Sequence, residues 1–427
     1  MTDALPDPLP DPRRDAPAFL RRLFDRAVEA ADPMRSLAAH LPPRPAGRVV
    51  VVGAGKASAR MAEAVLAAWG PCEGLVITRY GHARPCPGIE ITEAAHPVPD
   101  RAGVEATGRM LDLLAGLGQE DFVLALISGG ASALLCAPAD GVTLAEKQAV
   151  NAALLASGAP IGAMNCVRKH LSRVKGGQLA RTAWPARMLC LMISDVPGDD
   201  PALIGSGPTV AEGSTPAEAR AILERWGVAV PEGALRTLQR VSGVVAPGDP
   251  HLSRTDNRII AAPAQSLAAA AGLAQSAGCA VEILGDALEG EAREIAADHA
   301  RLALDRQAAR RPGDPPLVIL SGGELTVTRR GDGIGGPNAE YALALALALN
   351  GADRIYALAC DTDGIDGAAE VAGALIGPDT LARATPAAAR SALAANGSHD
   401  LFDRIGAQVV TGPTLTNVND FRAILIA

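Results

Sequence analysis

Apolar residues recur along this chain in two rhythms. Phe19, Leu20, Leu23, Phe24, Val28 and Ala31 fall at helical spacing, which predicts a first helix over 18–40 that stops before Pro42-Pro43. Val49–Val52 is instead a continuous β-branched run, broken by Gly53-Ala54-Gly55, and 56–69 returns to a helical pattern. Short apolar runs at 74–78, 89–92, 122–127 and 188–193 predict further strands, with helices over 101–116, from about 144, and over 161–181. Apolar strands alternating with helices predict a mostly parallel, doubly wound sheet. A stretch rich in Pro, Gly, Ser and charge at 244–257 then interrupts the pattern. Beyond it, strands are predicted at 258–262, 281–284, 317–320, 355–360 and 408–411, with helices over 264–276, 289–310 and 338–350. Residues 325–329 alternate and predict an antiparallel or edge strand. The expected fold is α/β in two domains, 16–245 and 256–427.

Composition narrows the partners. Aromatics are 3% of the chain, so the cores must be built from Ala, Val, Leu and Ile, and the stacking platforms of single-strand nucleic-acid binders are lacking. The net charge of −8, with no basic stripe, argues against a nucleic-acid partner. No apolar run approaches the roughly 18 residues of a membrane span, and the opening MTDALPDPLPDPRRDAP lacks the apolar core of a secretory signal. The seven cysteines are scattered, with no CxxC pair, which predicts reduced, mostly buried thiols in a cytoplasmic protein.

Four glycine-rich loops stand at strand ends or before helices: Gly53-Ala54-Gly55-Lys56, Ser128-Gly129-Gly130-Ala131-Ser132, Ser321-Gly322-Gly323-Glu324, and Gly333-Ile334-Gly335-Gly336-Pro337-Asn338. Such loops let backbone N–H groups approach an anion outside the carboxyl ends of strands. Four of them favour a phosphate or carboxylate ligand over tight turns alone. Lys56 is placed to reach such an anion, because a lone cation at a helix start opposes the helix dipole. Asp195 follows a strand end, and Asp361, Asp363 and Asp366 follow another. Aspartates so placed hold Mg²⁺ through one or two carboxylates or accept a hydroxyl proton. Asp199, Asp200 and Asp366 read better as turn or cap residues. Arg168, Lys169 and His170 supply cations that steer an anionic substrate or form a solvated face; His96, before Pro97, reads as structural. A dinucleotide fingerprint is broken, since its third glycine position is Ser58 and the next strand ends in Thr78-Arg79 without a carboxylate. GxxxxGK[ST] and GxSxG motifs are lacking.

The segments VVGAGKAS, ISGGASALL, NCVRKHLSRVKGGQLA, SDVPGDDPALIGSGPT, SGGELTV, GGPNAEYALALAL, ACDTDGIDG and TGPTLTNVND, in that order, resemble the class II glycerate 2-kinases of the MOFRL family. The resemblance runs from about Val51 to Asp420. It implies a Rossmann-like first domain, a smaller α/β second domain and an active site in the cleft between them. It also implies transfer of phosphate from ATP to D-glycerate, with Mg²⁺, giving 2-phosphoglycerate. Lys56 would be catalytic, with Asp195 and Asp361. Gly55, Ser128, Gly129, Gly130, Ser132, Arg168 and Lys169 would meet substrate or phosphate. Gly322, Gly323, Glu324, Gly335, Gly336, Asn338 and Glu340 would meet the nucleotide, and Asp195, Asp361 and Asp363 the metal. The family's GGRNQE-type motif reads Gly335-Gly336-Pro337-Asn338-Ala339-Glu340 here, so its Arg and Gln positions carry Pro and Ala. The expected partners are D-glycerate and ATP, with no nucleic acid and no membrane, and a homodimer is allowed. Two other readings stay open: a hydroxypyruvate reductase and a non-catalytic sugar-acid-binding paralogue.

Overall fold

Four successive valines open β1 (Val49–Ala54), and every residue of the strand is buried. That is the signature of a strand covered on both faces. β2 (Glu73–Arg79), β3 (Ile89–Ala94), β4 (Phe122–Ile127), β5 (Arg187–Ile193) and β6 (Thr255–Ala261) join it in one parallel sheet ordered β3-β2-β1-β4-β5-β6. The computed structural model describes residues 9–367 and 369–427. The chain divides into an N-terminal unit, 33–261, and a C-terminal unit, residues 9–32 with 262–427. In the N-terminal unit the helix Arg101–Ala115 packs Ala106, Met110 and Leu114 on the sheet, and Asp100 caps it by accepting the Gly103 N–H at 3.0 Å.

The C-terminal unit holds a mixed sheet. Its strands are β7 (Ala280–Gly285), β9 (Leu317–Ser321), β11 (Ile355–Asp361), β12 (Gly373–Ile376), β13 (Gln408–Val409) and β14 (Asp420–Ile426), ordered β13-β12-β11-β14-β9-β7. Only β7 and β9 run parallel. The segment expected as an antiparallel strand at 325–329 is a two-residue β10 (Leu325–Thr326), parallel to β8 (Gly290–Glu291). Three strands escaped the sequence reading, β8 falling at the start of the helix predicted over 289–310. β12 is only four residues long and begins at Gly373. β14, DFRAILI, carries Asp420 and Arg422 inside an otherwise apolar run, and all seven residues are buried.

The division of the chain differs from the expected 16–245 and 256–427. The first helix, Ala16–Ala30, packs Phe19, Leu20, Leu23 and Phe24 in one core with Leu267, Ala270, Leu320, Leu358 and Phe421, so it belongs to the C-terminal unit. Strand β6, placed beyond the expected boundary, pairs with β5 and belongs to the N-terminal unit. The helix predicted over 161–181 also breaks. It runs as Ile161–His170 and Gln178–Ala183, separated by a loop in which Gly176 and Gly177 have φ of 59° and 79°. All seven cysteines are free thiols, six of them buried.

Candidate active site

In the N-terminal unit the strand order reverses between β1 and β4, and ligands of doubly wound sheets bind where it does. The two loops leaving these strands are stitched together. The Lys56 N–H donates to Gly129 O at 2.8 Å and the Ala57 N–H to the buried Ser128 Oγ at 3.0 Å. The Gly55 N–H donates to Ile77 O at 3.1 Å and the Ser58 N–H to Gly55 O at 3.2 Å. A Cβ on Gly55, at φ 141°, would lie 2.1 Å from Ser128 Oγ, so only glycine fits there. Four successive amides of the first loop are therefore spent inside the protein, and its offering to a ligand is the Lys56 side chain. The second loop is more open. Its Ser128 and Ala131 amides are bonded internally, while those of Gly129 and Gly130 have no hydrogen bond among the described residues. Gly130 has φ 81°, and a Cβ there would stand 3.1 Å from the His96 ring and 3.3 Å from Lys56 Cγ.

Beside Gly130 lies a pocket of about 250 Å³, lined by His96, Ser132, Lys147, Asn151, Arg168 and Lys175. Lys147 sits on the buried stripe Lys147, Val150, Leu154 of the helix Leu144–Ala156 and donates to Leu171 O at 3.2 Å. Lys175 leaves the loop before Gly176-Gly177 and donates to Ser132 O at 2.7 Å and Ser132 Oγ at 3.1 Å. Ser132 Oγ is also 2.7 Å from Ser206 Oγ. Arg168 Nε donates to Asn151 Oδ1 at 3.2 Å. Among the described residues no carboxylate forms an ion pair with Lys147, Arg168 or Lys175, and none lines the pocket. Burial holds Lys147 and Arg168 below their ordinary ranges, and Lys175 well below, with the Lys147 charge adding to the effect on Lys175.

The predicted residues thus separate. Lys56, Gly55, Ser128, Gly129, Gly130, Ser132 and Arg168 gather at the switch point and its pocket. Lys169 does not line it; it is buried in an ion pair with Glu212, one helical step round from Arg168. Asp195 lies just beyond the carboxyl end of β5, half-buried. His96, read as structural, lines the pocket. Lys147 and Lys175 were missed. The signal for Lys147 was a lysine at a core position of an apolar stripe; Lys175 was hidden inside a helix that ends early.

In the C-terminal unit the predicted residues are locked into a network. The helix Pro337–Leu349 is capped by Asp366, which accepts the Asn338 N–H at 3.0 Å and the Ala339 N–H at 2.8 Å. Gly336 is pressed against Asp366, and Gly335 against Asn396 and Ser398. Asn338 Nδ2 donates to Asp420 Oδ1 at 2.7 Å. Arg422 donates to Asp420 Oδ2 at 3.0 Å, to Gly323 O at 3.0 Å and to Gly322 O. His399 Nε2 lies 3.0 Å from Asp366 Oδ2. Glu340 is 1% exposed, pairs with Arg293 and accepts from Asn396, so its carboxylate braces the fold rather than facing a nucleotide. Glu324 is exposed.

Asp361 Oδ1 accepts the Asp363 N–H at 2.9 Å and Asp363 Oδ1 the Ile365 N–H at 2.8 Å, the side-chain turns of an Asx-rich loop. Among the described residues no group of three or more His, Cys, Asp and Glu is placed to hold a metal ion. Of the expected metal set, Asp361 and Asp363 belong to the C-terminal unit and Asp195 to the N-terminal unit.

Residues 19–239 match the model of a domain of unknown function, DUF4147, and residues 317–420 that of the MOFRL family. The chain is 38% identical over 403 residues to D-glycerate 2-kinase of Thermotoga maritima, covering 93% of this chain and 95% of that one. It belongs to the MOFRL glycerate kinase family. A protein of Agrobacterium vitis named "Putative hydroxypyruvate reductase" is 54% identical over 413 residues, covering 95% and 94% of the two chains. The crystal structure of glycerate kinase from Thermotoga maritima superposes with a TM-score of 0.84 at 36% identity, over 95% of this chain and 98% of that one. Within the family, Pro337 here is the first residue of a helix whose leading amides a protein carboxylate already caps.

Proposed function

We propose that this chain is a glycerate 2-kinase, transferring the γ-phosphoryl group of ATP to the C2 hydroxyl of D-glycerate. The observation that carries this reading is the juxtaposition of Lys56 with the Ser128–Ser132 loop at the switch point of a doubly wound sheet, in a chain of the glycerate kinase family. Phosphoryl transfer demands alignment and charge neutralisation more than covalent help. Lys56 supplies a cation, and the Gly129 and Gly130 amides supply donors with no other partner among the described residues. The C2 oxygen attacks the γ-phosphorus, the bond to the ADP oxygen breaks, and the hydroxyl proton passes to a carboxylate, for which Asp195 is the candidate. Asp361 is the second candidate. No nucleotide contact is assigned to the Gly322-Gly323 and Gly335-Gly336 loops, because the Gly322 N–H donates to Gly285 O at 2.8 Å, Arg422 takes the Gly322 and Gly323 carbonyls, and Asn338 and Glu340 are held within the same network. Mg²⁺ would enter with the nucleotide, would neutralise phosphate charge, and would need only one or two protein carboxylates.

The reductase reading has a specific difficulty. A dinucleotide pyrophosphate would need the amides of the β1 loop, and those of Gly55, Lys56, Ala57 and Ser58 are bonded internally. Ser58 fills the third glycine position, with its hydroxyl on Leu126 O at 2.9 Å.

A coupled assay with D-glycerate, ATP and Mg²⁺, resolving 2- from 3-phosphoglycerate, tests the proposal. Formation of 2-phosphoglycerate supports it. No ADP release, or NADH oxidation with hydroxypyruvate, overturns it.

A further inference from the structure

Three cations converge on one small pocket, and among the described residues no carboxylate pairs with them. Lys147 and Lys175 are 3% and 1% exposed, and both donate to uncharged protein oxygens. An ammonium taken out of water without an opposite charge is costly, which is why burial favours the neutral form of both lysines, and an anion entering the pocket restores the charged form and gains their attraction. Lys169, on the same helix as Arg168, shows what the fold does with a cation it intends to keep: it gives it Glu212. The pocket's about 250 Å³ is smaller than the roughly 300–1,000 Å³ of sites for drug-sized ligands, so the anion is small. Asn151 holds Arg168 through Nε, which turns the two terminal amino groups of the guanidinium to other uses, and that planar fork matches a carboxylate.

We propose that Lys147, Arg168 and Lys175, with Asn151 orienting the arginine, form the site that binds the carboxylate of a small 2-hydroxy acid. The inference deepens the kinase reading and rests on it for the identity of the acid. With the carboxylate seated there, the rest of the acid extends past Gly130, where Lys56 and His96 stand. Arg168 then decides that the substrate is an acid rather than a polyol, and the two lysines set how tightly it is held.

The test combines binding and turnover in the full chain. D-glycerate should raise the midpoint of thermal unfolding, whereas glycerol, the same skeleton without the carboxylate, should not. Arg168→Gln should raise KM for glycerate at least 10-fold with a much smaller change in kcat, and should abolish the glycerate-dependent thermal shift. Lys147→Met and Lys175→Met should weaken glycerate binding likewise while leaving the ligand-free protein as stable as the parent or more so, because each removes an unneutralised buried charge. A purely structural role for these lysines predicts the reverse, a lower ligand-free midpoint. Unchanged KM and thermal shift in Arg168→Gln would overturn the proposal, as would stabilisation by inorganic phosphate that exceeds that by glycerate. If the parent protein binds glycerate and loses binding in these variants but shows no kinase turnover, the pocket assignment stands and the kinase reading falls. If it turns over normally in all three variants, the kinase reading stands and the pocket assignment falls.

Discussion

The same three letters, Ser-Gly-Gly, end a central strand in each unit, and the two loops do opposite things. Ser128-Gly129-Gly130 leaves β4 with two unbonded amides and opens on a pocket whose cations have no countercharge, both among the described residues. Ser321-Gly322-Gly323 leaves β9 with both glycine carbonyls filled by Arg422, whose charge is met by Asp420, which Asn338 holds in turn. Loop sequence is a poor guide to which of the two awaits a ligand. A census of charges within reach is a better one. Where every charge has a partner, the network is structure; where cations crowd together without one, the missing partner comes from outside.

The comparison can be broken first at its closed side. Asp420→Asn leaves the Arg422 guanidinium buried at 1% exposure without a countercharge, and breaking such a pair costs about 3–5 kcal/mol. Urea unfolding should show a correspondingly lower midpoint. A change below about 1 kcal/mol would mean that Arg422 is neutralised by something other than Asp420.

At the open side the largest effect is on chemistry. Lys56→Ala should lower kcat/KM for glycerate by roughly 10²–10³-fold, the scale for removing one charge-stabilising group from a transition state, while thermal unfolding barely moves. Near-normal turnover would remove Lys56 from the reaction.

Acid should loosen the closed side. His299 Nδ1 is 2.7 Å from Tyr341 Oη, in the core of the C-terminal unit, and burial, helped by Arg422, lowers its pKa from 6.5 to about 4. A neutral His299 is therefore part of the folded state, while the unfolded chain takes up the proton first. Its contribution is fully present above about pH 6.5 and is lost as pH falls through about 4, amounting to about 3 kcal/mol. Stability followed against pH should fall over that window in the parent and fall less in His299→Gln. Parallel curves would assign the acid sensitivity to other groups.

Gly130→Ala should act on both properties modestly. It asks an alanine to hold φ 81° with its methyl 3.1 Å from His96, which costs about 1–2 kcal/mol and narrows the way from Lys56 to the pocket. A higher KM with a slightly lower unfolding midpoint is the expected pair of readings.

How far these sites were legible follows from the residues themselves. The β1 valines, the glycine breaks and Lys56 carry local signals, and strand order follows from short crossovers, so the parallel sheet and its first two loops could be read directly. Lys147 could have been suspected, because a lysine three residues before Val150 and seven before Leu154 occupies a core position. Lys175 could not, since its place depends on the helix stopping at His170, and only the two positive-φ glycines that follow hint at that. Asp366 was rightly read as a cap. Glu340 and Asn338 look like ligand groups by motif, yet Arg293, Asn396, Asp366 and Asp420 claim them, and those partners are 28 to 82 residues away and invisible to any local pattern. The first helix misled for the same reason. Its apolar stripe is plain, but a stripe does not say which core it covers.

Lys169 offers the finest test, because it is a matched cation one residue from an unmatched one. Its ammonium is 5% exposed and paired with Glu212, whose own carboxyl is held below its ordinary range by Lys169 and the Ser214 amide against the opposing effect of burial. Lys169→Met alone strands Glu212 and should destabilise the protein, by about 1–3 kcal/mol given that the pair is only partly shielded from water. Lys169→Met combined with Glu212→Gln removes both charges and should restore most of that loss, with KM for glycerate within about 2-fold of the parent in both variants. The neighbouring Arg168→Gln, by contrast, is expected to raise KM 10-fold or more. If Lys169 instead changed KM as strongly as Arg168, pairing within the protein would not separate structural from ligand-binding cations, and the contrast between the two Ser-Gly-Gly loops would lose its physical basis.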